Sequence, residues 1–190
     1  MVLTACSPSV SGKALPASTP PSADGGQVPG PGVPKVEVPL DTEAFKSAPC
    51  TALSQDQVTE LFGYPVAPKP DPTGPGGPGC DWDTVDGSRA SAHVLFTTVD
   101  DLGLTSVYRA QGKAYKFFQP LAAIEGYPVV AYGTSDARST GRCSVALGTT
   151  DHSTVDITIF QTKEKIGKTD PCEVAHAVAE KVLASLKSGR

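Results

Sequence analysis

The sequence of 190 residues has one tryptophan, one methionine, three histidines and no excess of basic residues. Each shortage excludes a class of function. Its 16 Lys and Arg are interspersed with 20 Asp and Glu for a net charge of −4, so no basic patch is available to neutralise the phosphates of a nucleic acid. No apolar run of about 18 residues follows Cys6, and no segment beyond it is expected to span a membrane. The five cysteines lie about thirty or more residues apart, whereas a thiolate zinc site needs close pairs such as C-x₂-C. A Gly-x-Ser-x-Gly nucleophile elbow is absent. His93, His152 and His176 are too scattered for a ligand motif, and Glu173-x-x-His176 lacks the companion carboxylates a di-metal bundle requires. The glycine-rich stretch from Pro70 to Gly79 lacks the Lys-Ser/Thr ending of a phosphate loop, and its prolines remove amide donors, so an irregular excursion is expected. Neither a cofactor nor a metal is expected.

What is present begins at Leu3-Thr4-Ala5-Cys6, which resembles the lipobox of a bacterial lipoprotein. There the cysteine thiol takes a diacylglyceryl group, and small residues precede it at the cleavage site. A basic segment and an apolar stretch of about 7 to 15 residues normally come first. Residues 1–6 therefore read as the remnant of a signal peptide whose upstream part is missing. Residues 7–40 are rich in Pro, Ser, Gly, Ala and Val and contain no aromatic residue. Such a segment buries too little apolar surface to offset its ordering entropy, and a disordered, semi-flexible tether is expected.

Residues 41–190 are long enough for a single domain with a real core. A helix is expected to start at Ser54, an N-cap, with Gln57 at N3 completing a capping box and Leu53 and Val58 placed for a hydrophobic staple. Gly63 should end it. Asp170, Pro171 and Glu173 begin a last helix with Ala175, Ala179, Val182, Leu183 and Leu186 on one face and Cys172 on the same side. Between the helices the period changes to two, predicting strands over 93–99, 104–108, 127–132, 142–147 and 154–160, with a possible short first strand near Trp82. Val155, Ile157 and Ile159 alternate with Thr154, Asp156 and Thr158, the pattern of an antiparallel strand with one wet face. The last two strands read as a hairpin over Gly148 to Ser153, and a short helix from Pro120 to Ile124 is allowed. The expectation is an α+β fold: an antiparallel sheet of about five strands packed against N- and C-terminal helices.

With Cys6 assigned to lipid, Cys50, Cys80, Cys143 and Cys172 form an even set with three possible pairings. Outside the cytoplasm they should be oxidised. Cys80 and Cys143 belong to strands and Cys50 and Cys172 adjoin helix starts, so Cys80–Cys143 across the sheet and Cys50–Cys172 between the terminal helices are expected.

Pro49-Cys50 with Leu53, Cys80-Asp81-Trp82, Gly126-Tyr127-Pro128-Val129, Cys143-Ser144-Val145 and Asp170-Pro171-Cys172 with Ala175 together resemble the actinobacterial lipoproteins that share the domain of unknown function DUF3558. The resemblance spans roughly residues 48 to 186. It implies an envelope lipoprotein of a high-GC Gram-positive bacterium and carries no known reaction, ligand or catalytic residue.

Asp81, Asp83 and Asp86 followed by Gly87 are the best acidic cluster, but their order misses the EF-hand and lacks its distal Glu, so a solvated turn is expected. Trp82 beside Cys80 reads as core. Tyr115, Phe117 and Phe118 form a possible binding surface, because three aromatics in four positions cannot all face inward on one strand. The functional expectation is a non-catalytic binding or accessory domain for an unknown envelope protein, lipid or small ligand. Acylated Cys6 would hold it on the outer face of the cell membrane, and a chain that truly starts at Met1 would stay cytosolic. The alternative is an extracytoplasmic enzyme whose site assembles in space.

Overall fold

The computed structural model describes residues 27–83 and 90–189. In chain order the elements are α1 (Glu43–Ser47), a 3₁₀ turn (Pro49–Ala52), α2 (Gln55–Phe62), β1 (Lys69–Asp71), β2 (Gly79–Trp82) and β3 (Ser91–Phe96). Then come α3 (Leu104–Ala110), β4 (Phe117–Pro120), β5 (Val129–Gly133), a second 3₁₀ turn (Arg138–Thr140), β6 (Arg142–Thr150), β7 (Ser153–Phe160) and α4 (Pro171–Ser188). The strands form one antiparallel sheet in the order β1-β2-β3-β7-β6-β5-β4.

The fold is α+β, an antiparallel sheet packed against N- and C-terminal helices and carrying two disulfides. The sheet has seven strands rather than five, because short edge strands close both sides. β1 comes from the stretch expected to be irregular, and β2 is the short strand expected near Trp82. The chain there turns through Gly77 at φ 132°, where a Cβ would stand 2.1 Å from the Phe96 carbonyl oxygen, so only glycine fits. β4 replaces the short helix allowed from Pro120. Pro120 sits on an edge strand opposite Val130, where its missing N–H costs no ladder bond. Glu125 and Gly126, at φ 49° and 88°, then make the two-residue turn of a hairpin that Ile124 and Tyr127 close with paired backbone bonds of 3.0 and 2.8 Å.

Residues 104–108, expected as a strand, are helical. Leu104 and Tyr108 satisfy an alternating period as well as a helical one, whereas Val107 joins them only in a helix, and burial of Leu104 and Val107 against the sheet decides between the two.

The helix ends are as the residues dictate. Ser54 accepts from the Gln57 amide while the Gln57 side chain accepts from the Ser54 amide, the full capping box, and Gly63 ends α2 in the left-handed conformation. Asp170 caps α4 through a 2.8 Å bond from the Cys172 amide. Ala175, Ala179, Val182, Leu183 and Leu186 of α4 are fully buried on the front face of the sheet, opposite Val145, Leu147, Val155 and Ile157. α2 lies beside α4: Gln57 Nε2 donates to the Lys181 carbonyl at 3.1 Å and Ser185 Oγ donates to Gln57 Oε1 at 3.1 Å. Ser54→Ala should lower stability by about 1 kcal/mol in chemical denaturation, with Ser54→Gly costing less; equal stability of Ser54→Ala and wild type would show that the cap contributes nothing.

Neither expected disulfide forms. Cys50 pairs with Cys80 and Cys143 with Cys172, with Cα–Cα distances of 5.0 and 5.1 Å. β3 and β7 lie between β2 and β6, which sets Cys80 and Cys143 three strand spacings apart, roughly 14 Å, beyond the reach of a bridge. Cys50, in the first 3₁₀ turn, stands over β2, and Cys172, in the first turn of α4, stands over β6. Each cysteine of the sheet is thus joined to the helical element directly above it.

The packed region also begins before residue 41. Val36 and Leu40 are 3% and 2% exposed, and Gly30, Val36 and Leu40 bond through their amides to Thr105 Oγ1, Asp151 Oδ1 and the Thr149 carbonyl. The low aromatic content of this stretch conceals two core residues, and its backbone is held by groups more than seventy residues away. Residues 7–26 of the expected tether, and Cys6, lie outside the described residues. Among the described residues no helix is long and apolar enough to cross a membrane.

Candidate functional site

Among the described residues, α4, α2 and the first 3₁₀ turn cover the front of the sheet, and the back is covered only in part. α3 lies on the β5–β6 side, where Leu104 and Val107 meet Val130 and Ala146. Toward β3 and β2 the back face carries Ser91, His93 and Asp81 together with the half-buried Leu95. The register sets Lys69, Asp81, His93, Thr158, Ser144, Tyr132 and Phe118 directly opposite one another, one from each strand, in a row across the whole sheet.

The row is internally bonded. Asp81 pairs with His93 Nδ1, and Lys69 pairs with Asp83. Ser144 Oγ and Thr158 Oγ1 are 2.7 Å apart, and Tyr132 donates its hydroxyl to Asp156 Oδ2 at 2.9 Å. Asp156, one step along β7, has its Oδ1 shut off from solvent and without a well-formed hydrogen bond, the Thr97 and Thr154 hydroxyls standing nearby. Burial pushes its carboxyl up to about 6, against the opposing effects of the Tyr132 bond, the Thr97 and Thr154 hydroxyls and the charge of His93. Tyr132 is raised well above an ordinary phenol, first by burial and then by the Asp156 charge and hydrogen bond, so its hydroxyl stays protonated and directed at the carboxylate.

Beside this row a cleft of about 220 Å³ opens, walled by Tyr115, Tyr132, Phe117 and Arg142 with Ser144 and Thr158 on its floor. The Tyr115 and Tyr132 rings lie 4.7 Å apart, and the Arg142 guanidinium sits over the Phe160 ring, which is 45% exposed.

Of the three aromatics expected to form a surface, Tyr115 and Phe117 line the cleft. Phe117 is covered by Arg138, 4.7 Å from the ring centroid, and Phe118 points away to make an edge-to-face contact with Tyr108. All three are half-buried, so they are walls and packing more than an exposed patch. The acidic cluster does not gather: Asp81 and Asp83 are taken by His93 and Lys69, and Asp86 lies outside the described residues. His176 bonds the Ala122 carbonyl at 2.8 Å and faces Glu180 on its own helix, while His152 bonds the Asp101 carbonyl. Among the described residues no three His, Cys, Asp or Glu side chains are grouped to hold a metal.

Tyr132, Ser144, Thr158 and Asp156 were not singled out as site residues from the sequence. The alternation of Thr154, Asp156 and Thr158 marks a wet face, but only the register brings Tyr132 and Ser144 onto the same row. A second, more apolar cleft of about 250 Å³ lies between α2 and α4, with Leu61, Phe62, Ile159 and Val178 in its wall. Both clefts fall below the roughly 300 Å³ at which pockets begin to enclose a small molecule.

A model of the family described as "Protein of unknown function (DUF3558)" matches residues 1–185. The chain belongs to the DUF3558 family. No curated protein and no solved structure matches it. The motifs that carry the family resemblance map chiefly to the framework of this DUF3558 domain: both disulfides, the buried Trp82 and the start of α4. Ser144 and Asp81 bring them into the polar row as well.

Proposed function

We propose that this DUF3558 protein is a non-catalytic binding domain of the cell envelope, anchored through acylated Cys6, and that its ligand lies on the polar back face of the sheet. The observation that carries the binding half is the row Asp81–His93–Thr158–Ser144–Tyr132, half-buried yet, among the described residues, not covered by another helix or strand. Short hydroxyl, carboxylate and imidazole groups already bonded to one another lose little conformational freedom when a ligand docks. The Leu3-Thr4-Ala5-Cys6 motif supports the anchor, and two disulfides suit an oxidising compartment.

Binding is tested by passing solubilised envelope over immobilised wild type and Thr158→Arg, a variant that fills the row without touching the core. A component retained by the wild type and lost from an equally stable variant supports the reading. Identical retention by both overturns it. The anchor is tested by the intact mass of protein taken from its native membrane and by Cys6→Ser, which should release it; an unacylated Cys6 in membrane-held protein sinks that half.

One arrangement favours the enzymatic alternative: the Asp81–His93 pair directly adjoins Thr158, which bonds Ser144, the residue types of a nucleophile, base and orienting carboxylate. Against it, the strand amides around these residues are committed to the sheet ladder and leave no pair of donors on the face to hold an oxyanion. Hydrolysis of 4-nitrophenyl acetate should be the same for wild type and His93→Ala. A His93-dependent rate would reverse the assignment.

A further inference from the structure

We infer that the ligand of this back face is a neutral, hydroxyl-rich oligosaccharide chain lying across the strands, an inference that rests on the reading of the face as a binding site. The first reason is the kind of group presented. Ser144, Thr158 and Tyr132 offer hydroxyls that both donate and accept, Asp81 only accepts, and Arg142 only donates. A surface so mixed at such short spacing matches a ligand whose own donors and acceptors alternate around a ring.

The second reason is the rings that flank these groups. Phe160 stands 45% exposed opposite Arg142 at one side of the row, and Tyr115 rises beside Tyr132 over the cleft. Arg142 lies over the Phe160 ring and Tyr115 packs against Tyr132, so it is the exposed part of Phe160 that can take the apolar face of a sugar ring while the hydroxyl row takes its edge. Charge points the same way. Lys69 is paired with Asp83, His93 with Asp81, and Asp156 lies below the row, so positive and negative groups interleave along it, and Arg142, stacked on Phe160 at the cleft, adds a donor that sugar hydroxyls can meet.

Shape supplies the third reason. From Asp81 on β2 to Tyr132 on β5 the row crosses four strand spacings, about 19 Å, and the cleft beside it holds only about 220 Å³. That is a platform for a chain of linked rings resting partly in solvent, not a pocket that encloses one small molecule. A protein partner would favour large apolar anchors at the centre of the surface, and the centre here is Thr158, Ser144 and His93.

The test is titration of the full disulfide-bonded chain with cellohexaose, maltohexaose and mannohexaose, followed by backbone amide NMR. At least one should shift amides at Tyr132, Ser144, Thr158 and Phe160, with Phe160→Ala weakening that binding about tenfold, equivalent to about 1.4 kcal/mol. Thr158→Ala, a smaller change, should weaken it in the same direction with the spectrum otherwise intact. No shift with any of the three sugars, or shifts indifferent to both substitutions, overturns the inference. A polysaccharide-free envelope extract separates the two levels: if it alone shifts these amides, the face binds but not a sugar, and if neither it nor the sugars do, the binding reading falls too.

Discussion

Replacing Cys143 and Cys172 together by alanine should lower the unfolding free energy by about 3 to 4 kcal/mol. The bridge closes a loop of 29 residues, and the chain-entropy account gives a figure of this size for such a loop. It also pins the first turn of α4 to β6, and both cysteines are nearly fully buried, at 3% and 2% exposure. Alanine is the right probe because it adds no hydroxyl to a dry position. The Cys50–Cys80 bridge spans a nearly equal 30 residues and ties the first 3₁₀ turn to β2, so its loss should cost a similar amount. Chemical denaturation of the two double variants measures both, and non-reducing peptide mapping of the wild type should return these two pairs, with Cys6 in neither. A map joining Cys50 to Cys172 would contradict the strand order itself. A loss below about 1 kcal/mol would mean that packing alone holds α4 in place.

The disulfides show where sequence reasoning stopped. That four cysteines would be oxidised followed from their number and from the lipobox-like start. Which would pair depended on strand order, and order is a long-range property that periodicity does not carry. Cys80 and Cys143 both belong to strands, but the chain inserts β3 and β7 between them. The terminal helices are neighbours even so, joined by Gln57 with Lys181 and Ser185 rather than by sulfur. The architecture therefore survives the loss of the argument first used for it.

Local signals were legible wherever local chemistry decided the outcome. Ser54, Gln57, Gly63 and Asp170 cap their helices as the sequence implies, and Val155, Ile157 and Ile159 face the core. Legibility failed where tertiary burial chose between two periods, at Leu104 to Tyr108, and where an edge position made a proline harmless, at Pro120. The candidate site lay midway. Its polar face was visible in Thr154, Asp156 and Thr158, although Thr154 is buried and Asp156 desolvated rather than wet, and Tyr115 and Phe117 stood out as aromatics in excess of one face. That β5 and β6 would bring Tyr132 and Ser144 into line with Thr158 was not written in any window short enough to read.

Asp156→Asn should stabilise the protein at pH 7.5 by on the order of 3 kcal/mol and leave it unchanged near pH 3. The sign follows from the direction of the shift. Asp156 is raised from 3.8 to about 6 by burial, so the folded protein holds this proton more tightly than the unfolded chain does. The stabilisation from the protonated form is complete below the unfolded value and is lost as pH rises through about 6. Above that pH the native state carries a desolvated carboxylate whose Oδ1 makes no well-formed hydrogen bond, the nearby Thr97 and Thr154 hydroxyls offsetting only part of the burial. Asparagine removes the charge, its carbonyl can still accept from the Tyr132 hydroxyl, and its amide can donate toward Thr97 Oγ1, itself buried without a partner. Denaturation curves of wild type and variant from pH 3 to 8 should therefore diverge between about pH 4 and 6 and run parallel on either side. A constant offset at all pH values would assign Asp156 an ordinary pKa and remove the case that its burial is costly. If the divergence is found, the carboxylate is retained against stability. The structure gives it one evident task, to fix the direction of the Tyr132 hydroxyl at the end of the polar row, so Asp156→Asn should gain stability and Tyr132→Phe should lose ligand.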